Sequence, residues 1–342
     1  MKKNNILRII HTLNPSLGGP SNAIIDHSKA LVNCGFSVDI LTSDKKKYLK
    51  KKIKNIRIIN KGSSFGNYGF NFNIILWLYR NKKKYDLFIV HELWRFYTLL
   101  ARIILNNYFV FIHGQLDPFF KKNLFKLIKK KIYWYLIEKK NLIKANSILL
   151  TTELEKKLIE NTYVNTNGIK KNVIKYGIIK KNLNKKKISG LFYKKFKNLR
   201  NKKFYLFLGR FHEKKGCEIL VKSIFKIKEN FSDIILMAGP LTNSNYEKKL
   251  FNLINEYKLK DKFIFVDALY GELKWAAIQE SKAMVLPSHG ENFGVSLIES
   301  LSFSKPVLTT FKVNTYKEIL NYRAGFVSKN NSNNFSKILK KF

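Results

Sequence analysis

The chain has 342 residues, 45% hydrophobic and 14% aromatic, which supplies apolar side chains for two domains of ~100–200 residues and excludes a disordered chain. Its 65 Lys and Arg against 23 Asp and Glu give a net charge of +42, but only eight of the 65 are Arg and 57 are Lys, so the charge reads as compositional drift of the kind AT-rich codons impose, with no specific nucleic-acid partner expected. No apolar run reaches the ~18 residues of a membrane span, no export signal opens the chain, and Cys34 and Cys217, 183 positions apart, fit neither a disulfide framework nor a metal-ligand spacing, which leaves free thiols in a cytoplasmic setting.

Apolar segments of strand length alternate with helical patterns from the start. Residues 6–11, 36–42, 53–59, 87–91, 109–113 and 147–151 read as strands. After the first, Gly18 and Gly19 precede Pro20 and a helix over 20–33. A glycine pair at a helix N-terminus lets backbone N–H groups approach a diphosphate, and it equally suits a tight turn. The G-x-G-x-x-G spacing of a dinucleotide fingerprint is missing. His91 and His113 each close an apolar strand. An imidazole there can hydrogen-bond or exchange protons with a substrate outside the strand ends, or serve structure alone. Residues 119–144 are basic and aromatic, and fit either a helix on an anionic membrane surface or a core helix of the first domain.

The stretch 181–203 is polar, strongly basic and without clean periodicity. It is expected as a linker between an N-terminal domain, 1–180, and a C-terminal domain, 204–342. The alternation then restarts, with strands at 204–208, 233–237, 262–266, 283–287 and 305–309 and helices over 216–229 and 294–303. The expected fold is α/β: two facing, doubly wound parallel sheets with ligands in a cleft outside the carboxyl ends of the strands. Arg210 and Lys215 share the loop after 204–208, beside a helix start, where two cations can hold a diphosphate and stabilise charge developing on it as a leaving group. Glu291 and Glu299 stand eight positions apart, the first in a loop and the second inside the following helix. Carboxylates so placed accept from sugar hydroxyls, and the amides of Asn292, Phe293 and Gly294 at the helix start can face phosphate.

Together these residues resemble the retaining glycosyltransferases of family 4. The most specific stretch is GENFGVSLIESL at 290–301, followed by PVL, which is similar to the family's two Glu separated by seven residues before a small-residue helix and a strand. FLGRFHEKKG at 207–216 resembles its Gly-Arg…Lys-Gly segment, and LGGPSNAIIDHSKALVNCGFSVDILT at 17–42 its amino-terminal glycine loop, helix and second strand. HGQLDPFF at 113–120 resembles the His-Gly-Met-Leu-Asp-Pro-Trp stretch of a bacterial subgroup of lipopolysaccharide, O-antigen and other surface-polysaccharide enzymes, with Gln115 and Phe119 replacing Met and Trp. The family pattern continues beyond the equivalent of AGFVSKNN with two or more helices, whereas this sequence stops at Phe342.

The resemblance implies the GT-B fold and transfer of a sugar from a nucleotide-sugar to a hydroxyl of a glycan or lipid-linked acceptor. Anomeric configuration would be retained, with no cofactor and no obligatory metal. Gly18 and Gly19 would approach the donor diphosphate and Arg210 and Lys215 grip it; Glu299 would accept from ribose, Glu291 contact the donor sugar, and His113 lie against the transferred sugar. The absence of an Asp-x-Asp triplet at a strand end agrees, since cations must then neutralise the leaving diphosphate. An anionic membrane surface is a second expected partner, which would place the protein on the inner face of the cytoplasmic membrane. A basic nucleic-acid-binding protein, supported by charge alone, and an epimerase or phosphorylase on the same fold are the alternatives.

Overall fold

The computed structural model describes residues 4–14, 19–44, 53–118, 124–174, 176–179 and 182–342. The chain divides into two compact units, Met1–Ile179 and Lys180–Phe342. The first contains β1 (Asn5–Ile10), α1 (Gly19–Asn33), β2 (Ser37–Thr42), β3 (Ile56–Asn60), α2 (Phe72–Asn81), β4 (Leu87–His91), α3 (Phe96–Ile104), β5 (Tyr108–Phe111), α4 (Leu124–Tyr133), α5 (Lys139–Lys144), β6 (Ser147–Leu150), α6 (Glu153–Glu160) and β7 (Lys171–Val173). The second contains α7 (Lys185–Lys195), β8 (Phe204–Leu208), α8 (Cys217–Phe225), β9 (Ile234–Ala238), α9 (Asn245–Glu256), β10 (Phe263–Val266), α10 (Gly271–Glu280), β11 (Ala283–Leu286), α11 (Val295–Leu301), β12 (Val307–Thr310), α12 (Tyr316–Asn321), β13 (Gly325–Ser328) and α13 (Ser332–Lys341).

Both sheets are parallel, in the orders β3-β2-β1-β4-β5-β6-β7 and β10-β9-β8-β11-β12-β13. Each is the doubly wound order of a Rossmann-like unit, and each reverses direction beside its first strand, between β1 and β4 and between β8 and β11. Helices cover both faces of such a sheet, so its central strands read as unbroken apolar runs. FYLFL of β8, IILMA of β9 and AMVL of β11 are buried at every position. Among the described residues, side-chain caps mark five α-helix starts: Asn71, Thr152, Asn184, Ser244 and Asn331 each accept from the backbone N–H three residues on.

The stretch expected as a basic linker departs from that reading. Residues 185–195 form α7, whose Ile188 and Phe192, with Phe196 and Leu199 just beyond, are buried in the core of the second unit. Five Lys at 185, 186, 187, 194 and 195 hide this four-residue apolar period from a sequence reading. The third strand also begins later than expected, at Ile56, because Ile53 folds back to bridge it. β7 and β13, three and four residues long, went unforeseen. Cys34 is exposed and Cys217 buried, both as free thiols. No helix among the described residues is long and apolar enough to cross a membrane.

Candidate functional site

In the second unit the strand-order reversal sets the loops after β8 and β11 side by side. The β8 loop carries Arg210, exposed and without a hydrogen bond or ion pair among the described residues, then a single helical turn, Glu213–Lys215, whose Lys214 N–H donates to the His212 ring. Gly216 ends that turn with φ +66°, and a Cβ there would lie 2.0 Å from the Pro287 carbonyl oxygen. Only glycine lets the two loops close to this distance. Ser288 Oγ and His289 N–H both donate to the Lys214 carbonyl, at 2.7 and 2.9 Å.

The β11 loop is held from its other side by the segment after β12. Glu291 N–H donates to the Lys312 carbonyl and the Glu291 carbonyl accepts from Asn314 N–H, both at 2.9 Å, while Thr315 Oγ1 donates to the Phe293 carbonyl at 3.0 Å. Gly294, with φ +72°, then turns the chain into α11. The loop is therefore fixed by backbone, and its side chains are aimed before any ligand arrives.

Lys215 Nζ forms an ion pair with Glu291 Oε2 across the two loops. Burial pushes the Glu291 carboxyl up, but the charges of Lys215 and Lys214 and the Gly294 N–H outweigh it and hold the group below the usual carboxylate range. Glu299 lies inside α11 and pairs with Lys274 Nζ of α10 at 2.5 Å; that ammonium sits 3.9 Å from the centroid of the Trp275 ring. Asn292 accepts from Asn314 Nδ2 at 3.4 Å. The structure thus joins Lys215 to Glu291, and joins Glu299 to a lysine the sequence did not mark. Lys274 is one of 57 lysines and carried no signal.

A second group missed by sequence reasoning supports these loops. His289 Nε2 meets Glu218 Oε1 at 2.5 Å, Asn330 Nδ2 donates to His289 Nδ1 at 2.9 Å, and Tyr246 OH donates to Glu218 Oε2. Glu218 stands in the first turn of α8, so this network ties helix, β11 loop and the end of β13 together. His289 sits two residues before Glu291 and was the legible hint.

In the first unit, Gly18 lies outside the described residues and Gly19 opens α1. The residues just after β1 are held by Asp44, which accepts from Thr12 Oγ1 and, at 2.7 Å, from Leu13 N–H. His113 follows β5 with φ +49°, and Gly114 with φ +73° donates its N–H to Glu155 Oε1 at 3.1 Å. Gln115, where the resembled motif has Met, accepts from Leu93 N–H and so links the β5 and β4 turns. His113 Nε2 lies 2.9 Å from Nδ1 of the fully buried His91. Burial first, and the neighbouring Arg8 charge second, push the His113 imidazole down to about 3, which keeps it neutral at physiological pH.

Residues 192–342 match the family described as glycosyl transferases group 1. The chain is 23% identical to the alpha-1,3/1,6-mannosyltransferase ALG2 of Kluyveromyces lactis, a likeness covering 94% of this chain and 74% of that protein. Among solved structures it resembles HepE of Anabaena, in complex with UDP and glucose, with a TM-score of 0.74 and 15% identity over 99% of this chain and 89% of that one. WaaG, a glycosyltransferase involved in lipopolysaccharide biosynthesis, gives a TM-score of 0.71 and 14% identity over 98% and 90%. The structural likeness carries the GT-B fold of two Rossmann-like units, and the matched segment contains the whole Arg210-to-Glu299 region. Through residues 192–342 the chain resembles the group 1 glycosyl transferases, and the comparisons support glycosyltransferase activity.

Proposed function

We propose that the protein transfers a sugar from a nucleotide-sugar to an acceptor hydroxyl with retained anomeric configuration and without an obligatory metal. The observation that carries this reading is the Lys215–Glu291 pair at the strand-order reversal of the second unit, with Arg210 in the same loop. Cations there meet the leaving diphosphate, and the carboxylate faces the sugar side, where positive character develops as the glycosidic bond breaks. Arg210 and Lys215 grip the diphosphate, with the amides of Asn292, Phe293 and Gly294 beside it. The family resemblance further assigns Gly18 and Gly19 to the diphosphate, Glu299 to ribose and His113 to the transferred sugar. HepE of Anabaena solved with UDP-glucose supports the donor class. Likeness of the 290–301 segment to the retaining enzymes supports retention, and the 113–120 run supports a glycan or lipid-linked acceptor of surface-polysaccharide type.

The test is a screen of UDP-, GDP- and ADP-sugars by thermal shift, followed by turnover and by NMR of the product anomer, each with and without EDTA. One donor class is expected to raise the melting temperature, and the product is expected to keep the donor's configuration. Activity should persist in EDTA, because lysine and arginine supply the neutralising charge. An inverted anomer, or complete loss in EDTA restored by Mg²⁺ or Mn²⁺, would overturn the mechanism.

A membrane-bound location rests on the outer side of α4 and the turns after it. Phe125, Ile128, Ile132 and Leu136 recur every three or four residues and are 81%, 48%, 56% and 64% exposed, among the exposed Lys129, Lys131 and Lys140. Trp134, Glu138, Asn141 and Leu142 face inward and are buried. One side therefore packs in the core while the other offers apolar groups ringed by positive charge, suited to anionic lipid at roughly 1 kcal/mol per basic residue. Cosedimentation with phosphatidylglycerol-rich liposomes at ~0.15 M salt is expected for the wild type and reduced for Ile132→Glu/Leu136→Glu. Equal pelleting of both, or of neither, removes the claim.

A further inference from the structure

The guanidinium of Arg8 is buried without a carboxylate. Arg8 lies in β1 at 2% exposure. Among the described residues its hydrogen bonds go to neutral acceptors: Nε donates to His91 Nε2 at 3.2 Å, and one terminal nitrogen donates to the Ile24 carbonyl and the Ser28 hydroxyl at 3.1 Å each. A charge buried in this way costs stability, so its geometry asks for a reason beyond packing.

Donor and acceptor roles along the chain of contacts follow from that one residue. A guanidinium can only donate. His91 Nε2 must therefore accept, which leaves the proton of neutral His91 on Nδ1. His91 Nδ1 is 2.9 Å from His113 Nε2 and donates to it. His113 Nε2 thus accepts, and the proton of neutral His113 sits on Nδ1. Three neighbouring strands supply the three members, Arg8 from within β1, His91 from the end of β4 and His113 from just beyond β5, so the sheet itself sets their spacing.

The surroundings oppose a second proton on either ring. Burial does most of this, and Arg8 on β1 and then His27 on α1, whose charges act on both His91 and His113, add to it. His27 is engaged with the Gly177 carbonyl at 3.1 Å. The Phe111 ring packs on His113 at 4.1 Å between centroids, and the left-handed backbone at His113 and Gly114 is clamped by Glu155. Non-glycine residues adopt such φ values only where the surrounding structure imposes them, and they cluster at functional sites.

We propose that Arg8, acting through His91, is the positioning residue that holds His113 as its neutral Nδ1–H tautomer and so presents a hydrogen-bond donor to an oxygen of the transferred sugar. The inference rests on the placement of His113 beside that sugar. It adds a defined proton position to that placement and assigns the cause to two residues outside the substrate's reach.

Ring-nitrogen NMR of the full chain labelled with ¹⁵N-histidine reads the tautomer directly, with six histidines to assign. In the wild type, His113 Nδ1 is expected to carry the proton and Nε2 to resonate as an unprotonated, hydrogen-bonded nitrogen. His91→Leu removes the donor to His113. It is expected to shift His113 toward the Nε2–H form and to lower kcat roughly 10–100-fold, the scale for losing an orienting partner of a functional imidazole. His91→Asn keeps an N–H near the position of Nδ1 and should keep the Nδ1–H form and most of kcat. A proton found on His113 Nε2 in the wild type overturns the proposal without any variant. So does a His91→Leu protein with the altered tautomer and unchanged kcat. His113→Ala separates the two levels of the argument: unchanged kcat there removes the sugar-side role itself, whatever tautomer the wild type shows.

Discussion

Replacing Lys215 by alanine is expected to lower turnover roughly 10²–10³-fold, the scale on which removing one preorganised charge stabiliser acts. Arg210→Ala should cost a similar factor, because both cations share the loop after β8 and neither can cover the other's position. Their effects on stability should differ. Arg210 is exposed and without a described partner, so its loss should leave the melting temperature unchanged. Lys215 holds the Glu291 carboxylate, and without it the burial that pushes that carboxyl up is less opposed. In the wild type the lowered Glu291 pKa adds stability that is present above the usual carboxylate range and is lost as pH falls through the folded value. Lys215→Ala should therefore begin to lose activity and stability at a higher pH on the acid side than the wild type. Near-wild-type turnover in either variant would show that the residue does not touch the diphosphate.

The two glutamates should fail in different ways. Glu299 sits within α11 and pairs with Lys274; in the proposed reading it accepts from two neighbouring ribose hydroxyls, and ribose changes little during transfer. Glu299→Ala should act mainly as lost uniform binding, raising KM for the donor more than it lowers kcat. Hydrogen bonds to a charged group contribute about 1.5–3 kcal/mol, so affinity for the free nucleoside diphosphate should drop roughly 10–100-fold. Glu291 lies in the loop and is positioned by the Lys312 and Asn314 backbone. Glu291→Gln should mainly lower kcat. It also frees Lys215 from its counter-charge, so the free diphosphate should bind as well as before or more tightly. Calorimetry with the nucleoside diphosphate, together with steady-state kinetics, reads both. The reverse ordering would mean the roles are exchanged, and no effect from either would discard the donor site.

Local spacing made part of this site readable. Glu291, Glu299, Arg210 and Lys215 fall within short runs, each tied to a strand whose burial on both faces makes it an unbroken apolar segment, so strand and following loop could be placed from sequence alone. The partners of those residues come from far along the chain. Lys274 reaches Glu299 from another helix, and Glu218 meets His289 across 71 positions. Arg8 and His91 are 83 positions apart, and an arginine inside an apolar strand signals neither its acceptors nor its direction. Such contacts arise from strand order, which periodicity does not encode. The helix over 185–195 was lost for a different reason, since its lysines outnumber the buried side chains that define its inner face.

That helix decides where the second unit can be separated from the first. Ile188, Phe192, Phe196 and Leu199 sit at no more than 6% exposure, and Phe192 stacks on Phe204 with ring centroids 5.3 Å apart. Ser189 and Tyr193 on its outer flank bond Glu280 at 2.5 and 2.8 Å. Each such apolar side chain contributes roughly 1.5–3 kcal/mol when buried, against about 5–15 kcal/mol for a whole domain. A fragment begun at Phe204 would keep every strand and both glutamates yet expose a groove along α10 that its own missing segment fills. One begun at Lys180 carries its first helix with it, and autonomy of the second unit is a property of that longer piece.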